Sequence, residues 1–134
     1  MGAVIDSSLL IQVERTGFTG PSVFDSREDF FVSVITASEL LHGVHRALDA
    51  GVRARRSAWV NALLNVVPIL DIDLAIARMH AELWADLSAG GNLVGPHDLW
   101  IAATAVARGL RLLIVNVREF ERVPGLEVVR WLPS

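Results

Sequence analysis

The chain has 134 residues, of which 52 % are hydrophobic and 20 % charged, with a formal net charge of -3. That length suits one domain, residues 1–134, with a core of its own, and the charge excludes a protein that coats nucleic acid by bulk positive charge. Cysteine is absent and all 12 basic residues are arginine, which excludes disulfides, thiolate metal sites, Schiff-base chemistry and lysine-dependent phosphate loops.

Met1 to Asp6 reads as a short buried strand, followed by a helix over Ser7 to Glu14 that turns Leu9, Leu10 and Val13 inward. Thr16 to Asp29, rich in Gly, Ser and Asp, reads as a loop. Phe30 to Ile35 is a second strand, and Thr36-Ala37-Ser38-Glu39 matches a capping box opening a helix to about Ala50. Val52 to Asn65 is a further helix, with Trp59, Leu63 and Val67 at helical spacing. Val66 to Leu70 is a third strand. Asp73 to Ser88 is amphipathic, with Ile76, Met79, Leu83 and Leu87 on one face. After Ala89-Gly90-Gly91-Asn92, Pro96 opens a helix over His97 to Arg108, and Gly109 is its C-cap. Leu112 to Val115 is a fourth strand, Phe120 to Gly125 a turn and Glu127 to Trp131 an edge strand.

Strands alternating with helices, several of them apolar on both faces, predict a mostly parallel sheet covered on each side. No apolar run reaches the ~18 residues of a membrane span, since Arg108 and Arg111 end the nearest, Leu99 to Ala107. The N-terminus lacks the features of a signal peptide, so a cytoplasmic location is expected.

Ligands of such folds sit outside the carboxyl ends of the strands. Asp6 and Asn116 fall at or just past strand ends, and Glu39 and Asp98 fall in first turns of helices, so all four can face one crevice. Carboxylates so placed suit a hard divalent cation and a phosphate substrate. Each also has a plainer account. Asp6 is a good N-cap, the capping box explains Glu39, and Asp98 complements a helix dipole. Their joint placement carries the weight. His42 and His45 make an incomplete metal pair and read as ordinary polar residues. Asp71 or Asp73 reads as a helix N-cap. The tryptophans Trp59, Trp84, Trp100 and Trp131 read as packing or interface residues.

Together these segments resemble the PIN-domain ribonucleases of the VapC toxin type. Val4-Ile5-Asp6-Ser7-Ser8 is similar to the family's opening strand and turn, and Ile35-Thr36-Ala37-Ser38-Glu39-Leu40-Leu41-His42-Gly43 to its second signature. Gly95-Pro96-His97-Asp98, continued by Ile101-Ala102-Ala103-Thr104-Ala105, is similar to the third, and Asn116-Val117-Arg118-Glu119-Phe120 through Leu126 to the closing block. Ser7 replaces a usual threonine and keeps its hydroxyl. Ile114 stands where a threonine commonly precedes the closing Asn. Asn116 cannot carry charge whereas Glu119 can, which leaves open which of them is the fourth site residue.

The resemblance implies a three-layer α/β/α sandwich and a Mg2+-dependent endoribonuclease, the toxin of a toxin–antitoxin pair, with Mn2+ as a possible substitute. Asp6, Asp98 and Glu39 are the implied metal residues, completed by Glu119 with Asn116, and the implied products carry a 5′-phosphate and a 3′-hydroxyl. RNA, a VapB-type antitoxin and a second copy of the chain are the expected partners. Arg118 and Arg122, with Arg46, are expected to contact RNA phosphates, and Trp59 and Trp84 to line partner surfaces. A non-cutting RNA- or antitoxin-binding module and a DNA-directed nuclease are the alternatives.

Overall fold

The computed structural model describes residues 2–15, 29–117 and 119–131. The expected loop falls almost wholly outside them, as do Met1 and Arg118. The first strand, β1 (Gly2–Ile5), is buried along its whole length. Its side chains alternate between two cores, as the period of two requires. Val4 joins one apolar cluster and Ile5 the other, and both are 0 % exposed.

After β1 come α1 (Ser7–Arg15), β2 (Asp29–Ser33), α2 (Val34–Arg46) and α3 (Ala50–Val66). The chain continues with β3 (Ile69–Leu70), α4 (Leu74–Ala89), α5 (Pro96–Arg108), β4 (Arg111–Ile114), a 3-10 turn (Phe120–Arg122) and β5 (Val128–Arg130). The strands form one sheet in the order β3-β2-β1-β4-β5, and each neighbouring pair is parallel. Helices α1, α2 and α3 bury Leu9, Leu10, Val13, Leu40, Val44, Val60 and Leu63 with Ile5 and Val32 on one face. The other face carries α4 and α5, where Ile76, Leu83, Leu99 and Ile101 pack with Val4, Leu112 and Ile114. This is the expected three-layer α/β/α sandwich. Ile114 lies within that second core, which accounts for an apolar residue at the position.

The helix ends follow local chemistry. Asp49 accepts from the Val52 N–H at 2.8 Å to cap α3, and Asp73 accepts from the Ile76 N–H at 3.0 Å to cap α4. Asp73 also pairs with Arg108. Gly109 closes α5 with a positive φ of 66°, its N–H directed to the Ala105 and Val106 carbonyls, a backbone conformation that costs glycine least.

Several expected boundaries move: α2 ends at Arg46 rather than about Ala50, which instead opens α3. Helix α2 begins at Val34 because the Ser33 hydroxyl accepts from the Ile35 N–H at 3.1 Å. Ser33, not Thr36, is therefore the cap, and Glu39 stands in the second turn, where no capping box explains it. The third strand shrinks to Ile69–Leu70 because α3 runs on to Val66 and the Val67 N–H still bonds the Leu63 carbonyl. Pro68 then accepts from Val32 at 3.0 Å but has no N–H to donate.

Replacing the cap, Ser33→Ala, should cost ~1 kcal/mol of stability. Thr36→Val should cost less or stabilise, because the buried Thr36 hydroxyl has no hydrogen-bond partner to lose. Urea melts of the two variants decide the assignment, and a larger loss at Thr36 would reverse it.

Candidate active site

The strand order reverses between β1 and β4, so the carboxyl ends of these strands open the crevice that a parallel α/β sheet offers to a ligand. Asp6 is the first residue past β1. Its N–H bonds the Leu113 carbonyl at 3.0 Å, which ties it to β4, and only 4 % of its surface is exposed. Its two oxygens have different surroundings. Oδ2 accepts from the Ser8 N–H at 3.0 Å and from the Ser8 hydroxyl, so the capping role is real. Oδ1 is buried and has no hydrogen-bond partner. Capping thus accounts for half of this carboxylate.

Glu39 reaches the same crevice from α2. Its Oε1 is also buried without a partner, while Oε2 lies 3.6 Å from His97 Nδ1. Burial raises the Glu39 pKa first, and the Asp6 charge adds to it. The nearby His97 and the Ser7 hydroxyl oppose that rise more weakly. Asp98 stands in the first turn of α5, after the Pro96 that opens the helix. Its carboxyl is pushed from 3.8 up to about 7, mainly by burial and then by the charges of Asp6, Glu119 and Glu39. A hydrogen bond with the Glu119 side chain works in the same direction.

Four of the five expected site residues, Asp6, Glu39, Asp98 and Glu119, therefore act on one another. Asn116 is exposed two residues beyond β4. Sequence reasoning assigned no role to His97, though it adjoins Asp98 in the third motif, or to Ser8. His42 and His45 are exposed on α2. Arg122 donates one hydrogen bond, from Nη1 to the Leu93 carbonyl at 3.0 Å, which steadies it beside the loop before α5 and, among the described residues, leaves its other N–H donors unused. Arg118 lies outside the described residues.

An open crevice of about 290 Å³ is lined by Glu39, Gly95, Pro96, His97 and Asp98. The donors around it are hard oxygens, two of them buried and unpartnered, which fits Mg2+ or Mn2+. Among the described residues no three His, Asp or Glu side chains form a ready metal cage. Mg2+ does not require one, since it commonly keeps several waters and takes one or two carboxylates with substrate phosphate.

A carboxyl that binds its proton more tightly folded than unfolded adds stability that is complete below its unfolded pKa. That stability is lost as pH rises through the folded value. For Asp98 the window runs from 3.8 to about 7. In chelator, the melting temperature should fall across this window, and Asp98→Asn should flatten the fall. Melts of both proteins from about pH 4 to about pH 8 read it, and identical profiles would remove Asp98 from the cluster.

A family profile for the PIN domain matches residues 3–126. Ribonuclease VapC1 of Rickettsia felis is 33 % identical over 129 residues, covering 96 % of each chain. The tRNA(fMet)-specific endonuclease VapC of Salmonella typhimurium is 36 % identical over 100 residues, 75 % of this chain and 74 % of that one. In the crystal structure of VapBC-5 from Mycobacterium tuberculosis, a member of the VapBC family of toxin–antitoxin systems, one chain superposes with a TM-score of 0.78. That chain is 29 % identical, with 98 % of this chain and all of that one covered (100 %). With a profile that spans most of the chain and relatives of this identity and coverage, the chain belongs to the PIN-domain family as a VapC-type ribonuclease.

Proposed function

We propose that the chain hydrolyses RNA phosphodiesters in the crevice of Asp6, Glu39, Asp98 and Glu119, with Mg2+ as the cation and Mn2+ as a substitute. PIN-domain VapC nucleases generally depend on a divalent metal. The observation that carries this reading is the pair of buried, unpartnered oxygens, Asp6 Oδ1 and Glu39 Oε1, beside a carboxyl lifted to about 7. Asp6 and Asp98 would hold the cation, Glu39 would ligate it or orient the attacking water, and Glu119 with Asn116 would complete the shell. A divalent cation bound there lowers the pKa of water and stabilises charge developing on the phosphate.

The remaining work falls to the side chains. Ser8 fixes the Asp6 carboxylate by engaging Oδ2, which leaves Oδ1 for the cation. Asp98 and Glu119 share a hydrogen bond that favours the protonated form of Asp98, and a cation held there would favour its ionised form instead. His97, within 3.6 Å of Glu39, steadies that carboxylate in its ionised form. Water is the proposed nucleophile, which needs no covalent intermediate and agrees with the absence of cysteine.

A VapB-type antitoxin is the proposed protein partner, supported by the toxin–antitoxin assembly named for the solved relative. A second copy of the chain is the proposed partner of the α4–α5 face. There Trp84 is 57 % and Leu93 62 % exposed, beside an apolar hollow of about 440 Å³. His80 stacks on Trp100 at 3.6 Å beneath it. Trp59 is a weaker candidate, half-buried against the opposite core. Among the described residues no helix is long and apolar enough to cross a membrane.

Asp98→Asn should lower RNA cleavage by ~10²-fold or more, the loss of several kcal/mol of charge stabilisation. It should also blunt the rise of melting temperature with Mg2+ that native-state binding produces. Gel assays on RNA and DNA substrates, with melts over a Mg2+ series, test both halves. Cleavage within tenfold of the parent, or cutting confined to DNA, would overturn the reading. Trp84→Arg should shift the chain from dimer to monomer in sedimentation at micromolar concentration, and a parent that is already monomeric refutes the second copy.

A further inference from the structure

Glu39 lines two hollows. One is the carboxylate crevice. The other is a groove of about 270 Å³ between α1, α2 and α3, whose wall carries Arg15, Arg46 and Arg56. Its volume is several times the ~30 Å³ share of one water, enough to admit a phosphate with its sugar. In an acidic chain with 12 arginines and a net charge of -3, three of them line the groove that shares Glu39 with the crevice. Glu14 and Glu39 are the acids in the same wall, so the groove keeps a positive excess.

The three side chains are available to an anion. Among the described residues, the ion pairs are those of His97 with Glu39 and Arg108 with Asp73, and none involves Arg15, Arg46 or Arg56. Arg56 is steadied by one hydrogen bond, from Nη1 to the Gly43 carbonyl at 3.2 Å, which spends one of the five N–H donors of its guanidinium. Arg15 closes α1 and Arg46 closes α2, where cations also complement the helix dipoles. That alone explains an arginine at each helix end. It does not explain why two ends and the α3 face meet at one groove continuous with Glu39.

We infer that this groove is a phosphate-binding subsite, in which Arg15, Arg46 and Arg56 hold the RNA strand on one side of the bond to be cut. The assignment rests on the hydrolytic reading for the location of that bond, though not for the binding itself. Guanidinium forks suit phosphate oxygens bidentately. The apolar floor of Leu40 and Val60 accepts a sugar or base face. Glu39 marks the boundary between the segment that is gripped and the segment that is cut.

The test separates binding from cutting. In the Asp98→Asn background with chelator, binding of a labelled oligouridylate is titrated over a range of salt. The comparison is with the same chain carrying Arg15→Gln, Arg46→Gln and Arg56→Gln. For a single strand, each phosphate that is no longer neutralised lowers the slope of log K against log salt by ~0.7, so the triple variant should flatten it by roughly 2. Affinity at low salt should fall by at least ~tenfold. Because Arg56 also bonds α2, the double variant Arg15→Gln with Arg46→Gln serves as the control for folding, and lysine at the same positions should restore the slope.

An unchanged slope, or no salt-dependent binding in the Asp98→Asn chain, overturns the subsite. So does a triple variant that binds oligouridylate normally but loses affinity for an antitoxin peptide, which gives the groove to a protein. If the parent fails to cleave RNA with Mg2+ while arginine-dependent binding persists, the hydrolytic reading falls and the subsite stands.

Discussion

Burial of β1 on both faces is the constraint from which the site follows. Val4 and Ile5 point into opposite cores, and each buried side chain of this kind contributes ~1.5–3 kcal/mol. Strands pair with β1 in parallel on both edges, so its backbone is satisfied and no polar side chain has a place within it. The first position free of that demand is Asp6. There the Asp6 N–H still bonds Leu113 while the side chain is released into the crevice. The apolar strand thus delivers one carboxylate to a fixed point between β1 and β4, and the other acids are arranged around it.

Electrostatics at that point run against local preference. An aspartate in the first turn of a helix gains ~0.3–1 kcal/mol from the dipole, which alone would lower its pKa by less than one unit. Asp98 is instead raised to about 7. Burial and three neighbouring carboxylates overwhelm the dipole, and the helix start that explains an aspartate from sequence is not what governs its charge. Such strain at a functional cluster is tolerated because the two cores flanking the sheet supply stability elsewhere.

Much of this was legible in the chain itself. Apolar strands alternating with helices pointed to the parallel sheet, and local placement pointed to Asp6, Glu39 and Asp98, because periodicity and element-end chemistry are local. Glu119 in place of Asn116 followed only from the family resemblance. What escaped were features set by three-dimensional neighbours. The capping box at Thr36 was a false match, since Ser33 one turn earlier already bonds the Ile35 N–H. That error had hidden the best evidence for Glu39, whose position no cap explains. His97 beside Glu39 joins α5 to α2, which lie far apart in the chain. Although Arg46 was expected at an RNA surface, its meeting with Arg15 and Arg56 depends on how α1, α2 and α3 pack. The bond from Arg122 to the Leu93 carbonyl is likewise a contact that proximity in sequence to Glu119 does not reveal.

The acidic balance of the chain is compatible with a polyanionic substrate for a reason of range. At physiological ionic strength a charge acts over ~8 Å before screening dominates, so the net charge of -3 is not what a phosphate at the surface experiences. It meets local fields, repulsive at the carboxylate crevice and attractive at the arginine wall. Because Glu39 belongs to both hollows, the two fields adjoin. In the proposed arrangement, a strand held by the arginines would bring its next phosphate toward a carboxylate cluster whose charge a bound divalent cation would offset. Binding and cutting then answer to different conditions. Salt would weaken the first and a divalent cation would be needed for the second, which would separate holding a strand from committing to its hydrolysis within one small fold.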